Sequence, residues 1–432
     1  MSNSLARTRI GDGVHFNRIS DPKFKHNRLS VSFITPLSRA GASDNAAAPL
    51  ILRMGCRLLP DFSSLNARLG ELYGASLDAI VSKFGGYQVL EVSIRGLDNR
   101  YALENEDITE ECAGLLAQIV LDPKLDAGGF FDSKDTALQR RYVQDTIEAE
   151  INDKRAYALS QCLQAMCEGE PAAVRAYGYP ETAAAITPES AAKAYRNMLR
   201  GAPVEIFFTG SGDAGGAEKI FAEAFAGLSR EPGGYPLVKL HPRAETVREK
   251  TETMELSQSK LVLGMRCGEL ETPEKLNAAR LFSAMFGGTP FSKLFLNVRE
   301  KLSLCYYCAS RFDPATRLLM VDSGVEAENK QKAHSEIMAQ LAAIAAGDFT
   351  GDELRDTKLL MKNSVLTTAD SLSATEGWYM SQILRGQAVS PAQDAADIGR
   401  VTREEVMEAA KGVTLDTVYF LKGEGEEEAE AR

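Results

Sequence analysis

The sequence predicts an α+β protein built from two similar units in tandem. Three observations carry that expectation: one order of strands and helices occurs twice, an irregular Pro/Gly-rich stretch separates the copies, and the strand runs alternate apolar and polar residues. In the first copy the strand LSVSFITPL from Leu29 leads to a helix near Ala46 to Arg57, a second helix near Ser63 to Tyr73, and a strand pair from Ser76 to Arg95. In the second, SKLVLGMRCG from Ser259 leads to a helix at Pro273 to Met285, another at Ser292 to Leu302, and a strand pair from Ser303 to Glu326.

The parallel continues through CAGLLAQIVLDP beside SEIMAQLAAIAA, and KDTALQRRYVQDTIEAEIND beside LRDTKLLMKNSVLTTADSLS. Each copy closes with a helix and a strand, SAAKAYRNMLRGAPVEIFFTG in one and TREEVMEAAKGVTLDTVYFLKG in the other. The alternation of Val89, Glu91 and Ser93 with Leu90, Val92 and Ile94 fits a sheet with one face buried beneath helices. In the stretch LSREPGGYPLVKLHPR, Pro232, Pro236 and Pro242 resist both helix and strand. The expected organisation is therefore a domain over 1–228, a linker over 229–243 and a domain over 244–432.

With 432 residues, 44% of them hydrophobic and 25% charged, there is material for two cores. No run of eighteen apolar residues occurs and MSNSLARTRI lacks an apolar signal-peptide core, so no membrane association is expected. Seven cysteines without framework spacing read as reduced thiols, and the expected location is cytoplasmic. A net charge of −11 without a basic, aromatic-interleaved patch argues against nucleic acid as a partner. The C-terminal GEGEEEAEAR reads as a solvated tail.

The most informative segment is FSKLFLNVREKLSLCYYCASRFD, Phe291 to Asp313. A helix with Leu294, Val298 and Leu302 on its apolar side presents Arg299 near its C-terminal end, and the β-rich Cys305-Tyr306-Tyr307-Cys308 follows after a short turn. A guanidinium and a phenol held together, Arg299 and Tyr306, can donate hydrogen bonds to a peptide carbonyl or to the oxyanion formed when it is attacked. The competing reading pairs Arg299 with Glu300 and buries Tyr306 as a core ring. Tyr307 should point to the opposite face of the strand.

Other features read as structural. Cys305-x-x-Cys308 lacks a second cysteine pair, so core packing is favoured over zinc or redox chemistry, as it is for Cys162 and Cys167. His15, His26, His241 and His334 have no ligand-type residue at helical spacing, and Glu336, two positions from His334, would not face it. Gly287-Gly288, followed by Thr289-Pro290, reads as a helix C-cap and turn rather than a phosphate loop, with bare backbone bordering a cleft as a secondary reading.

The Phe291–Asp313 segment strongly resembles the C-terminal half of pitrilysin or insulinase-like metallopeptidases, in which an Arg and a Tyr at this separation bind substrate opposite a zinc site. DFSSLNARLGELYGASLDAIVSKFGGYQVLEVSIRG, Asp61 to Gly96, resembles the N-terminal half. The resemblance implies a mitochondrial-processing-peptidase-like fold: two homologous domains, each a mostly antiparallel sheet backed by helices, forming a clam-like shell. The family's His-x-x-Glu-His falls on Ala46 to Leu50, with Ala46 and Leu50 at the histidine positions and Pro49 at the glutamate, and its third ligand falls near Thr146, Glu148 or Glu150.

The resemblance thus implies no cofactor in this chain. It implies a non-catalytic, substrate-binding subunit that is inactive alone, with zinc held by a homologous partner subunit, in a heterodimer or homodimer acting on a peptide substrate. A proteolytically inactive peptide-binding or scaffold protein is the alternative. Lys293-Leu294-Phe295-x-Asn297-Val298-Arg299-Glu300-Lys301, with the Tyr pair after it, is similar to a bacterial subgroup of about this length associated with modification of elongation factor P.

Overall fold

A computed structural model describes residues 4–235 and 241–425. Pro236 of the expected linker and most of the acidic tail lie outside the described residues. Eleven strands among those described form two sheets. The first holds β1 (Ala6–Gly11), β2 (Val14–Ser20), β3 (His26–Pro36), β4 (Ser76–Phe84), β5 (Tyr87–Leu97) and β6 (Val204–Gly210), in the order β1-β2-β6-β3-β5-β4. The second holds β7 (Arg248–Met254), β8 (Ser259–Arg266), β9 (Cys305–Asp313), β10 (Leu318–Val325) and β11 (Thr414–Gly423), in the order β7-β11-β8-β10-β9.

The repeat expected from sequence is present in the strand order. β6-β3-β5-β4 and β11-β8-β10-β9 are the same arrangement, and each is flanked by a parallel neighbour, β2 on β6 and β7 on β11. The remaining pairings are antiparallel, so both sheets are mostly antiparallel.

Each sheet buries an apolar face beneath helices. Val31, Leu90, Val92, Ile206 and Phe208 meet Leu50, Leu116 and Phe221 in the first; Leu263, Val321 and Phe420 meet Leu281, Phe286 and Ile337 in the second. The other face of each sheet is covered as well. In the first sheet Ser30, Ser93 and Glu205 point away from the apolar core and are still buried. Helix Leu372–Leu384 lies on β3 and β6, and its Glu376 accepts hydrogen bonds from Arg28 and Ser30. On the second sheet helix Lys154–Met166 buries Ala158 and Cys162 against Val262, Tyr419 and Leu421.

The two compact units are consequently not contiguous in sequence. One comprises 1–148, 174–237 and 368–390, the other 149–173, 238–367 and 391–432. The expected 1–228 and 244–432 describe the sequence repeat, but one helical segment of each joins the other unit because its apolar and polar groups match that sheet. Residues 229–235 of the expected linker are also tied down. Arg230 Nε donates to Asp12 O at 3.0 Å, and Tyr235 Oη donates to buried Glu205.

Candidate functional site

Arg299 and Tyr306 line one cavity of about 430 Å³, with Glu300, Ser303, Leu304 and Cys305 around them. The helix that presents Arg299 is wider than an α-helix. Leu294–Lys301 is π-helical, as is the preceding turn Ala284–Gly288, and such segments occur often at functional sites. Leu294 and Val298 are buried as expected, whereas Leu302 falls outside the apolar side and is half-exposed. The extra residue per turn rotates the last side chain off the 3.6-residue stripe.

Two neighbours hold this helix. Asn297 Nδ2 donates to Gln340 Oε1 at 2.9 Å, and Lys293 Nζ lies 2.9 Å from Glu353 Oε1. Its end turns sharply: the amides of Ser303 and Leu304 donate to the carbonyls of Arg299 and Val298, both at 3.1 Å. Ser303 accommodates the reversal with φ of 51°, a left-handed conformation unusual for a residue with a Cβ. The chain then enters β9 directly, which brings Tyr306 to the cavity that Arg299 borders.

A β-bulge sets the direction of Tyr306. Cys305 pairs with Val325 and Tyr307 with Gly324, leaving Tyr306 as the unpaired extra residue. Its ring is 68% exposed, so the competing reading of a core ring does not hold. Arg299 lies over the Phe295 ring at 4.7 Å and 3.5 Å from Glu300 Oε1. That ion pair is half-exposed and is worth about 0–1 kcal/mol, too little to keep the guanidinium from a buried carbonyl. Tyr307 faces the other way, with Arg155 of helix Lys154–Met166 over its ring at 4.4 Å.

Gly287 and Gly288 end the π-helical turn without a left-handed C-cap, and neither lines the cavity. A Cβ on Gly287 would stand 2.5 Å from Ser310 N, so the glycine is required for close packing on β9. Cys162, Cys167 and Cys308 are buried as expected. Cys305, read from sequence as ordinary core, also reaches the cavity, a position that depends on the bulge and had no signal in the spacing.

At the positions of the absent zinc motif, Ala46 and Leu50 are buried apolar side chains and Pro49 sits inside helix Ala42–Leu52. None offers a donor atom. Thr146 Oγ1 donates to Tyr142 O within its own helix. Among the described residues no three His, Cys, Asp or Glu side chains are grouped to share a metal ion, so this donor set does not fit zinc.

Residues 185–361 match the Peptidase M16 inactive domain. The "Probable inactive metalloprotease YmfF" of Bacillus subtilis (strain 168) is 31% identical over 418 residues, 95% of this chain and 96% of that one. A conserved protein from Enterococcus faecalis V583 superposes with a TM-score of 0.90 at 27% identity, covering 98% of this chain and 100% of that one. A protease from Helicobacter pylori shares the fold, with a TM-score of 0.78 at 14% identity, over 97% and 100% of the two chains. The chain belongs to the M16 family, the pitrilysin and insulinase-like metallopeptidases, as an inactive peptidase-like member.

Proposed function

We propose that this chain is the non-catalytic, substrate-binding subunit of a two-chain zinc peptidase. Arg299 and Tyr306 grip the peptide carbonyl while a homologous partner supplies the His-x-x-Glu-His zinc site. The observation that carries the reading is the shared cavity, in which an exposed phenol on a bulge and a guanidinium without a strong carboxylate partner both have unspent donors. Carbonyl gripping and zinc-hydroxide attack need only converge in space, so two polypeptides can divide them. Seven free cysteines support a cytoplasmic setting.

The chain alone is expected to carry no stoichiometric zinc and to cleave no peptide. Mixed with a zinc-bearing homologue from the same cell, it should associate and support cleavage. In that assembled pair Arg299→Ala and Tyr306→Phe should each lower kcat by roughly a hundred- to a thousandfold, the scale of one lost oxyanion donor. Melting curves should stay close to wild type. Unchanged turnover in both variants would return the chain to the scaffold alternative.

A further inference from the structure

We propose that Cys305 and Cys308 form an oxidisable dithiol in the wall of the Arg299–Tyr306 cavity, a modification site for low-molecular-weight disulfides. In a regular strand, residues three apart point to opposite faces. The bulge cancels that rule: Cys305 stands opposite Val325 and Cys308 opposite Ser323, two residues that share a face of β10. The cysteines are therefore neighbours on one face, spaced like i and i+2. That spacing, about 6.6 Å at 3.3 Å per residue, lies within the Cα separation a disulfide bridges. Both thiols belong to the same buried cluster of the second sheet.

Their surroundings give them different roles. Cys305 borders the cavity at 9% exposure, while Cys308, at 4%, is not part of its lining. Hydrogen bonding with Cys308, aided by Ser323 and by the charge of Arg299, draws the Cys305 thiol down to about 7 against the effect of burial. That same hydrogen bond, together with burial, pushes the Cys308 thiol up. Cys305, at the cavity's edge, is the attacking group, and Cys308, the more deeply buried, the resolving thiol. Elsewhere burial pushes the thiols of Cys112, Cys162 and Cys267 up, which suits inert core cysteines.

The chemistry balances with a small disulfide as oxidant. Cys305 thiolate attacks one sulfur of RSSR, forming a Cys305–S–S–R mixed disulfide and releasing RS⁻, which takes up the Cys305 proton from solvent. Cys308 then attacks the Cys305 sulfur, its proton leaving with the second RS⁻. Two thiols are oxidised to one disulfide and RSSR is reduced to two RSH. Oxidation also removes the thiolate facing Arg299, so the state of the pair would alter the grip on a peptide. That consequence rests on the function proposed above; the dithiol does not.

The test treats the full chain with oxidised glutathione at about pH 7.5, then blocks free thiols after unfolding and maps them by mass spectrometry. The expected product has lost two hydrogens in the peptide carrying Cys305 and Cys308, with the other five cysteines still free. Cys308→Ser should stop at a glutathione adduct on Cys305, and Cys305→Ser should not react, both variants retaining the wild-type melting curve. Absence of the disulfide, or faster reaction at any other cysteine, overturns the proposal. In the assembled pair the oxidised chain, its Arg299 relieved of the competing thiolate, should bind peptide about fivefold more tightly, the scale of one partly exposed charge pair. A disulfide that forms without changing peptide affinity overturns the link to binding alone.

Discussion

Glu376 shows how a single side chain can set a pH limit on this fold. It is buried on the first sheet, accepting from Arg28 and Ser30, and Arg28 also reaches Glu91 at 2.5 Å. The two carboxylates hold the guanidinium charged, while burial outweighs Arg28's attraction at Glu376 and pushes its carboxyl up from 4.5 to about 7. A carboxyl raised on folding binds its proton more tightly in the native state. Its contribution is present below pH 4.5 and is lost as pH rises through about 7. Glu376→Gln cannot titrate, so the stability difference between wild type and variant should drift against wild type from pH 4.5 to 7 and then level off, as measured by urea denaturation; a flat difference would remove the argument. Arg28→Met should be worse at neutral pH, by about 3–5 kcal/mol, because it leaves buried carboxylates without their cation. Nothing in the sequence showed this group, since Arg28 and Glu376 are 348 positions apart. Arg299 and Tyr306 were legible because a helix end and a strand start place them close by local geometry. Tyr307 on the opposite face was legible from strand parity, but the bulge that aims Tyr306 was not. Buried Tyr307 Oη has no hydrogen-bond partner, so Tyr307→Phe should leave stability unchanged or raise it by up to about 1 kcal/mol.

Among elements, strands with an apolar inward face were readable, and strands defined only by their neighbours were not. β7, REKTETM, is an exposed, charged edge that pairs with β11 and carries no alternation to find. The boundaries of the first helix were also displaced: it runs Ala42–Leu52, and the chain then turns through Gly55 to a bridge between Cys56 and Pro123. Helical periodicity likewise located the Arg299 helix without revealing its π form, because the two differ in hydrogen-bond reach and hardly in composition. The adjoining π-helical turn offers a paired test. Gly287→Ala would drive a methyl to 2.5 Å from the Ser310 backbone nitrogen, whereas the nearest atom to a Cβ on Gly288 is at 3.4 Å. The first substitution should destabilise by about 1–3 kcal/mol, the cost of overpacking a rigid contact, and the second should be nearly neutral. Equal denaturation midpoints for the two would mean that the turn yields instead of holding its place on β9.

At the scale of the whole molecule, the repeat in the sequence and the units of the structure are different partitions of one chain. Each copy sends one helix to the other unit: Lys154–Met166 to the second sheet and Leu372–Leu384 to the first. No local pattern reveals such an exchange, because an amphipathic stretch declares that it will be buried, not where. Its energetic consequence follows from the faces covered. Without residues 368–390, a fragment 1–228 would expose Arg28, Ser30 and Ser93 on a sheet face now sealed by Glu376 and Tyr379. Lacking 149–173, a fragment 244–432 would uncover Val262, Tyr419 and Leu421, and would leave Asp322 without Arg155, which holds it bidentately. Each loss is set against a net stability of only about 5–15 kcal/mol for a typical domain. Neither fragment alone should therefore give a cooperative thermal transition, while co-expressed fragments should assemble and recover one, since each brings the helix the other lacks. A sharp transition in either isolated fragment would show that the exchanged helices are accessory and that each sequence copy is a folding unit by itself.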